Sequence, residues 1–523
     1  MTTPDMFWTQ GLHRSLQQHP DEPATIFGDR VRTFAEQADR VTRLAGALRD
    51  LGVRHGTRVG ILGLSSDRYA ELLLAIPWAD GVFNALDTMR DPSEMGPMLA
   101  ESETRILFVD DSFAASVPAI RAAWPGLDTV VHMGEEPAPF DMPAYEDLIA
   151  ASAPVPDALR GGDAIAGLLH TGGTTGLPKT VMHSNRALMT LTLALGTSFP
   201  GFVAPGTRLL QLTPMSHVSG VGSSMAMSQF GRTFVPLPRF APAAALEQIA
   251  RHRITAMFIV PTMLQAMVDH PDVAGHDLSS VGTIFYGASP MTESLLERAM
   301  AAFPGVGFGQ LYGMTEAMSP TILTEDDHRP GPQRASAGRA SVISEVRVVD
   351  ADDNDVAPGT EGEILLRGAG DMVGYWNDPA ATDHVRRGGW THTGDVGRLD
   401  ERGYLYVVDR LKDMIIVGGD NVHSAEVENA LSSHPDVATC AVIGVPDGET
   451  GDAGERVHAV VVLHPGAEPD DDRLRKHCAS LVSGFKVPTS WEYAAALPTT
   501  PTGKVLKRDL RERYWEGRQR QVN

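Results

Sequence analysis

Short charge-free apolar runs, each followed by a helical pattern, recur as far as about Ser341, and this alternation limits the fold more than any other feature. Val59-Gly60-Ile61-Leu62-Gly63-Leu64 reads as a buried strand, as do Ile106-Leu107-Phe108-Val109, Ala256 to Val260 and Thr283 to Tyr286. Such runs suit parallel strands covered on both faces. Between them lie helical patterns. Thr33 and Glu36 have capping-box spacing, Val41, Leu44, Leu48 and Leu51 follow on one face, and Gly52 ends the run. Tyr69 to Ile76 reads as another helix, stopped by Pro77. Pro137 to Pro156 reads as a loop or connector. The expected class is α/β, with parallel-type sheets covered by helices.

Beyond Ser341 the pattern turns β-rich. Val346-Arg347-Val348-Val349 and Glu363-Ile364-Leu365-Leu366 flank an acidic turn and predict a hairpin. That turn, Asp350 to Asp355, partly imitates a calcium loop. Asp355 stands where such a loop needs Gly and Pro358 intrudes, so a solvated hairpin tip is the better reading. Roughly the last hundred residues read as a small α+β domain. It has a helix over Glu426 to Ser432, with Ser424 as its cap, and strands over Cys440 to Val445 and Val457 to Leu463. A chain of 523 residues exceeds one compact core. The expected division is a large domain over 1–409 with a β-rich subdomain, a hinge at 410–413, and a small mobile domain over 414–523.

Charge excludes several functions. The formal net charge is -22, which repels nucleic acid and anionic membrane. Any phosphate site must then be built locally. Cys440 and Cys478 are the only cysteines, so neither a disulfide framework nor a cysteine zinc site is expected. The start, Met1 to Gln10, is polar and lacks the pattern of a signal peptide. Ala187 to Thr207 and Leu209 to Gly231 lack charge, but Pro, Gly and Ser break them into helix plus loop. A cytoplasmic protein without integral membrane contact is expected. Composition leaves its assembly open, a homodimer included.

The sharpest motif is Thr171-Gly172-Gly173-Thr174-Thr175-Gly176-Leu177-Pro178-Lys179. Its glycines let backbone N–H groups approach an anion, its hydroxyls add donors, and Lys179 adds a point charge. This suits a polyphosphate, although the Gly–Lys spacing is not that of a Walker A loop. Alone it would read equally as a flexible loop. Tyr312-Gly313-Met314-Thr315-Glu316 offers an aromatic face, a hydroxyl and a carboxylate suited to Mg²⁺. Trp390-Thr391-His392-Thr393-Gly394-Asp395 ends in a carboxylate that suits two ribose hydroxyls. Asp409-Arg410-Leu411-Lys412-Asp413 joins cation and carboxylate at the boundary, and Pro501-Thr502-Gly503-Lys504 presents a lysine on a tight turn.

Together and in this order, these motifs resemble the adenylate-forming superfamily of acyl-CoA synthetases, luciferases and peptide-synthetase adenylation domains. The likeness covers nearly the whole chain and is closest to bacterial fatty-acyl- and aryl-CoA ligases. It implies that Thr171 to Lys179 cradle the phosphates of ATP. Gly287, Ala288 and Ser289 would line the adenine pocket with Tyr312 on the base. Thr315 would touch the α-phosphate, Glu316 would hold Mg²⁺, and Asp395 and Arg410 would grip the ribose. Lys412 would be the hinge, and Lys504 would bridge acid and α-phosphate. His217 would border the acyl site together with Gly313 and Tyr286. Absent the family, His217 reads rather as a satisfied buried histidine. The implied reaction forms acyl-AMP and pyrophosphate, then passes the acyl group to coenzyme A. Between the steps the small domain turns and brings Gly418 and Gly419 to the pantetheine arm.

The chain departs from the pattern in places. Thr180 follows Lys179 where Gly is usual, and His170 stands where Tyr is common. Gly448 to Gly454 is longer than the usual turn, and Thr489 replaces a frequent basic residue. The last two changes leave the acceptor open: coenzyme A, a separate carrier-protein thiol, an amine, or a nitrite-type oxyanion. The cations Lys486, Lys504, Lys507, Arg508, Arg511 and Arg513 are expected to draw the phosphates of coenzyme A, or else to be a solvated helix face. Val218 to Phe230 lacks Lys and Arg, which predicts a monocarboxylic acid with a largely apolar tail. A non-catalytic nucleotide-binding protein is the remote alternative, and intact Lys179, Glu316, Asp395, Arg410 and Lys504 argue against it.

Overall fold

A computed structural model describes residues 5–515 apart from 89, 172–177, 419, 448–454 and 500–504. The fold is mixed α/β. Two large sheets dominate. One has seven strands, in the order Gly374–Tyr375, Thr180–Ser184, Ile165–His170, Val82–Ala85, Arg58–Leu62, Ile106–Val109 and Thr129–His132. Its strands from Ile165–His170 to Thr129–His132 pair in parallel, and the apolar runs Arg58–Leu62 and Ile106–Val109 sit side by side as expected. The second sheet has nine strands. Its parallel centre holds Gly307–Met314, Thr283–Gly287, Ala256–Ile259 and Arg208–Gln211 in adjacent positions.

The largest apolar cluster draws on both sheets. Phe83 and Phe108 come from the first, Phe234, Phe258 and Phe285 from the second, and Leu44, Leu72, Leu188 and Met225 from helices. Fully burying each such side chain contributes about 1.5–3 kcal/mol, so one shared core locks the sheets together. This fixes the ends of strands from both sheets, where the site is built.

The helix over Phe34–Asp50 carries the expected capping box of Thr33 and Glu36. Two helix readings need correction. Pro77 does not stop its helix, which runs Asp67–Trp78. A proline cannot pair with the carbonyl four residues back, here that of Leu73. The Trp8 indole donates to that carbonyl at 2.7 Å and removes the penalty. The segment Pro137 to Pro156 holds a helix, Tyr145–Ala151, whose Tyr145 is buried against Phe108.

The hairpin predicted beyond Ser341 is present as Ser344–Val349 paired with Gly362–Gly368, extended by Thr391–Leu399 and Leu405–Arg410 into an antiparallel sheet. Its acidic tip is self-satisfied, the Asp350 carboxylate accepting from the backbone of Asp352 and Asn354. Elements after Arg410 form sheets of their own, Ile415–Val417 with Asp420–Val422, and Val437–Pro446, Glu455–Leu463 and Ser490–Tyr493. The helix Ser424–Ser432 is capped differently from expectation. Ser424 is inside it, and the Asp409 carboxylate accepts from both the Ser424 backbone N–H and its hydroxyl. A carboxylate at a helix N-terminus is favoured by the helix dipole.

Candidate active site

The glycine–threonine motif joins two antiparallel strands, Ile165–His170 and Thr180–Ser184. The Thr171 N–H donates to the Lys179 carbonyl at 3.1 Å and closes the base of the connection. Gly172, Gly173, Thr174, Thr175 and Gly176 fall outside the described residues. Beneath the motif, His170 is buried with Nε2 2.7 Å from the Asn84 Oδ1. Burial pushes this imidazole down to about 3, so it is neutral at physiological pH. Thr180 is also buried, its hydroxyl donating to Glu101 at 3.2 Å. The two departures from the usual pattern therefore form a packed polar floor.

A second hairpin brings the carboxylate. Strands Gly307–Met314 and Ala317–Leu323 pair antiparallel, and Thr315 and Glu316 make their turn. The register slips between Tyr312 and Met314, where the facing strand carries two more residues between Ala317 and Thr321, so the bulge lies on the Ala317–Leu323 side, opposite Gly313. Glu316 is 8% exposed, and burial pushes its carboxyl above the ordinary range. The Tyr375 hydroxyl donates to Glu316 Oε1 at 2.8 Å, and the Lys179 ammonium lies 4.6 Å from the centre of the Tyr375 ring. Lys179 and Arg410 both favour the charged form of Glu316. A hard oxygen donor flanked by cations suits Mg²⁺ carried on a polyphosphate. Behind the turn, buried His183 is pushed down to about 3 by desolvation.

Three nucleotide-type residues meet around one strand pair. Asp395 and Arg410 face each other across the ladder between Thr391–Leu399 and Leu405–Arg410. Their side chains pair at 3.3 Å, and the Tyr312 hydroxyl donates to the other Asp395 oxygen at 2.8 Å. Gly287 pairs with Leu311, which places Ala288 beside Tyr312. A Cβ on Gly287 would stand 2.6 Å from the Leu311 carbonyl oxygen, so that approach requires glycine. Ala288 follows at φ +68°, a left-handed conformation uncommon for a residue with a Cβ. Ser289 is partly exposed next to it.

The acyl-side residues separate. His217 precedes the helix Val218–Phe230, with Nε2 3.9 Å from an Asp87 oxygen and without a hydrogen-bond partner for that nitrogen among the described residues. Burial lowers its basicity, against the pull of Asp87. Tyr286 does not join it. Its ring packs with Ile259 and Leu296 in a second core, and its hydroxyl meets His328 Nε2 at 3.0 Å. Alternation along the strand explains this, since the neighbouring Phe285 takes the side facing Phe199 and Phe202. Asp87 and Tyr375 are the side chains that sequence reasoning missed. Each contacts residues more than a hundred positions away or lies in a short strand without a helical or strand pattern of its own, so periodicity carried no signal.

In the C-terminal part, Gly418 turns at φ +60° between Ile415–Val417 and Asp420–Val422, while Gly419 and Lys504 fall outside the described residues. The Lys412 carbonyl accepts from Arg511, which also pairs with Asp413. The reading of a free cationic patch is corrected for its described members. Lys486 pairs with Glu426, Lys507 with Glu428, Arg508 with Asp509 and Glu512, and Arg513 with Glu492. Their charge is neutralised within the protein. Among the described residues, Asp353, Glu363 and His392 bring three donor atoms within 4.8 Å of one another. Arg387 already meets Glu363 at 3.2 Å and Asp353 at 3.5 Å, so an ion-pair cluster fills this place.

Comparison with known proteins agrees with this geometry. Residues 12–376 match the family described as AMP-binding enzyme, and residues 426–504 match the AMP-binding enzyme C-terminal domain. The chain is 38% identical to a feruloyl-CoA synthase of an Amycolatopsis species, covering 96% of this chain and 98% of that one. It is 34% identical to a fatty acid–[acyl-carrier-protein] ligase of Streptomyces coeruleorubidus, covering 97% and 96%. Among solved structures, an amide bond synthetase from Marinactinospora thermotolerans superposes with a TM-score of 0.85 at 31% identity, covering 97% of this chain and 99% of that one. No helix among the described residues is long and apolar enough to cross a membrane. This chain belongs to the AMP-binding enzyme family, the adenylate-forming group that its motifs resemble.

Proposed function

We propose that this protein activates a monocarboxylic acid with ATP and transfers the acyl group to the thiol of coenzyme A. It is an AMP-forming acid–thiol ligase. The observation that carries this reading is the convergence on Glu316 of Lys179 and Arg410, one from each side of the site, with Asp395 and Tyr312 alongside. In the first step a carboxylate oxygen attacks the α-phosphorus of ATP and pyrophosphate leaves. Both reactants are anions. Lys179 and Lys504 would neutralise the phosphates, Thr315 would hold the α-phosphate, and Asp395 and Arg410 would fix the ribose. Mg²⁺ held by Glu316 would supply further charge neutralisation at the phosphate oxygens. In the second step the thiol sulfur attacks the acyl carbonyl, the carbon–oxygen bond to phosphate breaks, and AMP leaves.

The small domain would turn about 410–413 between the steps. Lys412→Pro fixes φ at the pivot and removes its N–H. We expect adenylation to survive better than transfer, by about tenfold or more, compared through pyrophosphate release and thioester yield. Normal overall turnover would place the pivot elsewhere.

A second reading of the acceptor has specific support. The described C-terminal cations each have a carboxylate partner, which weakens the electrostatic argument for the phosphates of coenzyme A. Relatives of similar identity act, by their names, with an acyl-carrier protein or in amide bond synthesis. The test begins with a panel of fatty and aryl monocarboxylic acids scored by pyrophosphate release. The best acid is then incubated with ATP, Mg²⁺ and coenzyme A, and the thioester is sought by mass. Accumulation of acyl-AMP without thioester would reject coenzyme A and keep adenylation. Preference for dicarboxylates or amino acids would reject the apolar tail.

A further inference from the structure

The short strand Gly374–Tyr375 stands between the two halves of the site. Its backbone pairs with Thr180–Ser184, Tyr375 opposite Val181, and so belongs to the seven-stranded sheet that carries Lys179. Just before it, the Met372 N–H donates to the Glu316 carbonyl at 3.0 Å, and Asp371 bridges Ala317, in the nine-stranded sheet. The segment 371–375 thus straps one sheet to the other at the place where Lys179 and Glu316 approach. The Tyr375 ring is 6% exposed and is gripped by Val181, Met372, Ala381 and Val385. From this fixed ring the hydroxyl reaches Glu316 at 2.8 Å, and the ring face meets the Lys179 ammonium at 4.6 Å.

We infer that Tyr375 is a positioning residue that holds the Glu316 carboxylate and the Lys179 ammonium in register for a metal–polyphosphate. The inference rests on the adenylation reading above and adds a residue to it. Two features make the role specific. The hydroxyl donates to one oxygen of a buried carboxylate and so holds that carboxylate in one orientation. The ring attracts the ammonium through its negative face without neutralising it, which leaves the charge available to a phosphate. A lysine on a flexible stem gains a defined place through a ring contact, with no ion pair among the described residues that ATP would have to break.

The test uses the full-length enzyme and three proteins: the parent, Tyr375→Phe and Tyr375→Leu. Phe keeps the ring over Lys179 and the packing, and removes only the hydroxyl. We measure MgATP binding by calorimetry, half-saturating Mg²⁺ in pyrophosphate release, and melting temperature. For Tyr375→Phe we expect half-saturating Mg²⁺ to rise about tenfold, with MgATP binding weakened in parallel. Melting temperature should stay within a few degrees. Tyr375→Leu should add a rise in the KM for ATP through the released Lys179. A Tyr375→Phe enzyme with the parent's Mg²⁺ requirement overturns the inference, and so does a variant whose only change is a lower melting temperature. Should the parent itself fail to bind ATP or release pyrophosphate with any acid, the functional reading fails instead, so the two failures are distinguishable.

Discussion

Lys504→Ala is expected to slow adenylation by about 10²–10³-fold, the loss typical of removing one preorganised charge partner from a developing transition state. Transfer from pre-formed acyl-AMP should change no more than a few fold. The asymmetry follows from where the positive charge is needed. Joining a carboxylate to a triphosphate brings two anions together, whereas a thiol attacking acyl-AMP does not repeat that encounter. Covalent geometry supports the assignment. Lys507 is anchored to Ser424 at 2.6 Å and to Glu428 at 2.7 Å. Three residues span at most about 11 Å, so in the proposed rotation Lys504 would be drawn away together with the small domain. Stopped-flow release of pyrophosphate measures the first step, and thioester formation from synthetic acyl-AMP the second. Equal losses in both would falsify the rotation scheme while leaving adenylation itself intact.

The largest stability effect is expected far from the chemistry, at Glu71. This carboxylate is fully buried, yet Arg40 meets it through Nε at 2.7 Å and Nη2 at 3.0 Å, Arg32 lies at 3.2 Å, and the Tyr145 hydroxyl donates at 2.8 Å. Desolvating so many charges is repaid only while every partner is in place. Glu71→Ala leaves cationic and phenolic donors buried without their acceptor and should destabilise the large domain by about 3–5 kcal/mol. Urea unfolding followed by tryptophan fluorescence reads this as an earlier first transition. A loss below about 1 kcal/mol would show that Glu146 and Asp67, the remaining acids of the network, take over the arginines.

Glu71 also marks where sequence reading stops. Period and composition located most of the core strands, because a charge-free run has one stable environment, between helix layers. The capping box at Thr33 was legible for the same reason: its partners are three residues apart. The motifs around Thr171, Lys179, Tyr312, Asp395 and Arg410 were legible as chemistry, although the last three residues stand on strands. Their mutual contacts were not, since Tyr312 and Asp395 meet across 83 positions. Tyr375 gave no signal because its importance lies in two neighbours, one on each sheet. Tyr286 was misplaced because strand alternation sends adjacent residues to opposite cores, and the side facing the acid depends on packing. Net charge described the C-terminal cations as a patch, whereas their individual carboxylate partners are a three-dimensional property.

The ladder that sets Asp395 opposite Arg410 ends at Arg410, the last residue of its strand, and Lys412 is only two residues farther along. In the proposed cycle, a turn of the chain beginning at Lys412 would pivot at the edge of the Asp395–Arg410 pair and leave both residues where they are. The activated intermediate would then be the stationary hub, with the small domain moving around it. Such an arrangement would favour commitment, since the reactive anhydride would stay seated while one face of the enzyme is replaced by the other. Hydrolytic leakage would depend on how long the pivot takes, and slowing the pivot would raise the share of ATP turned over without product.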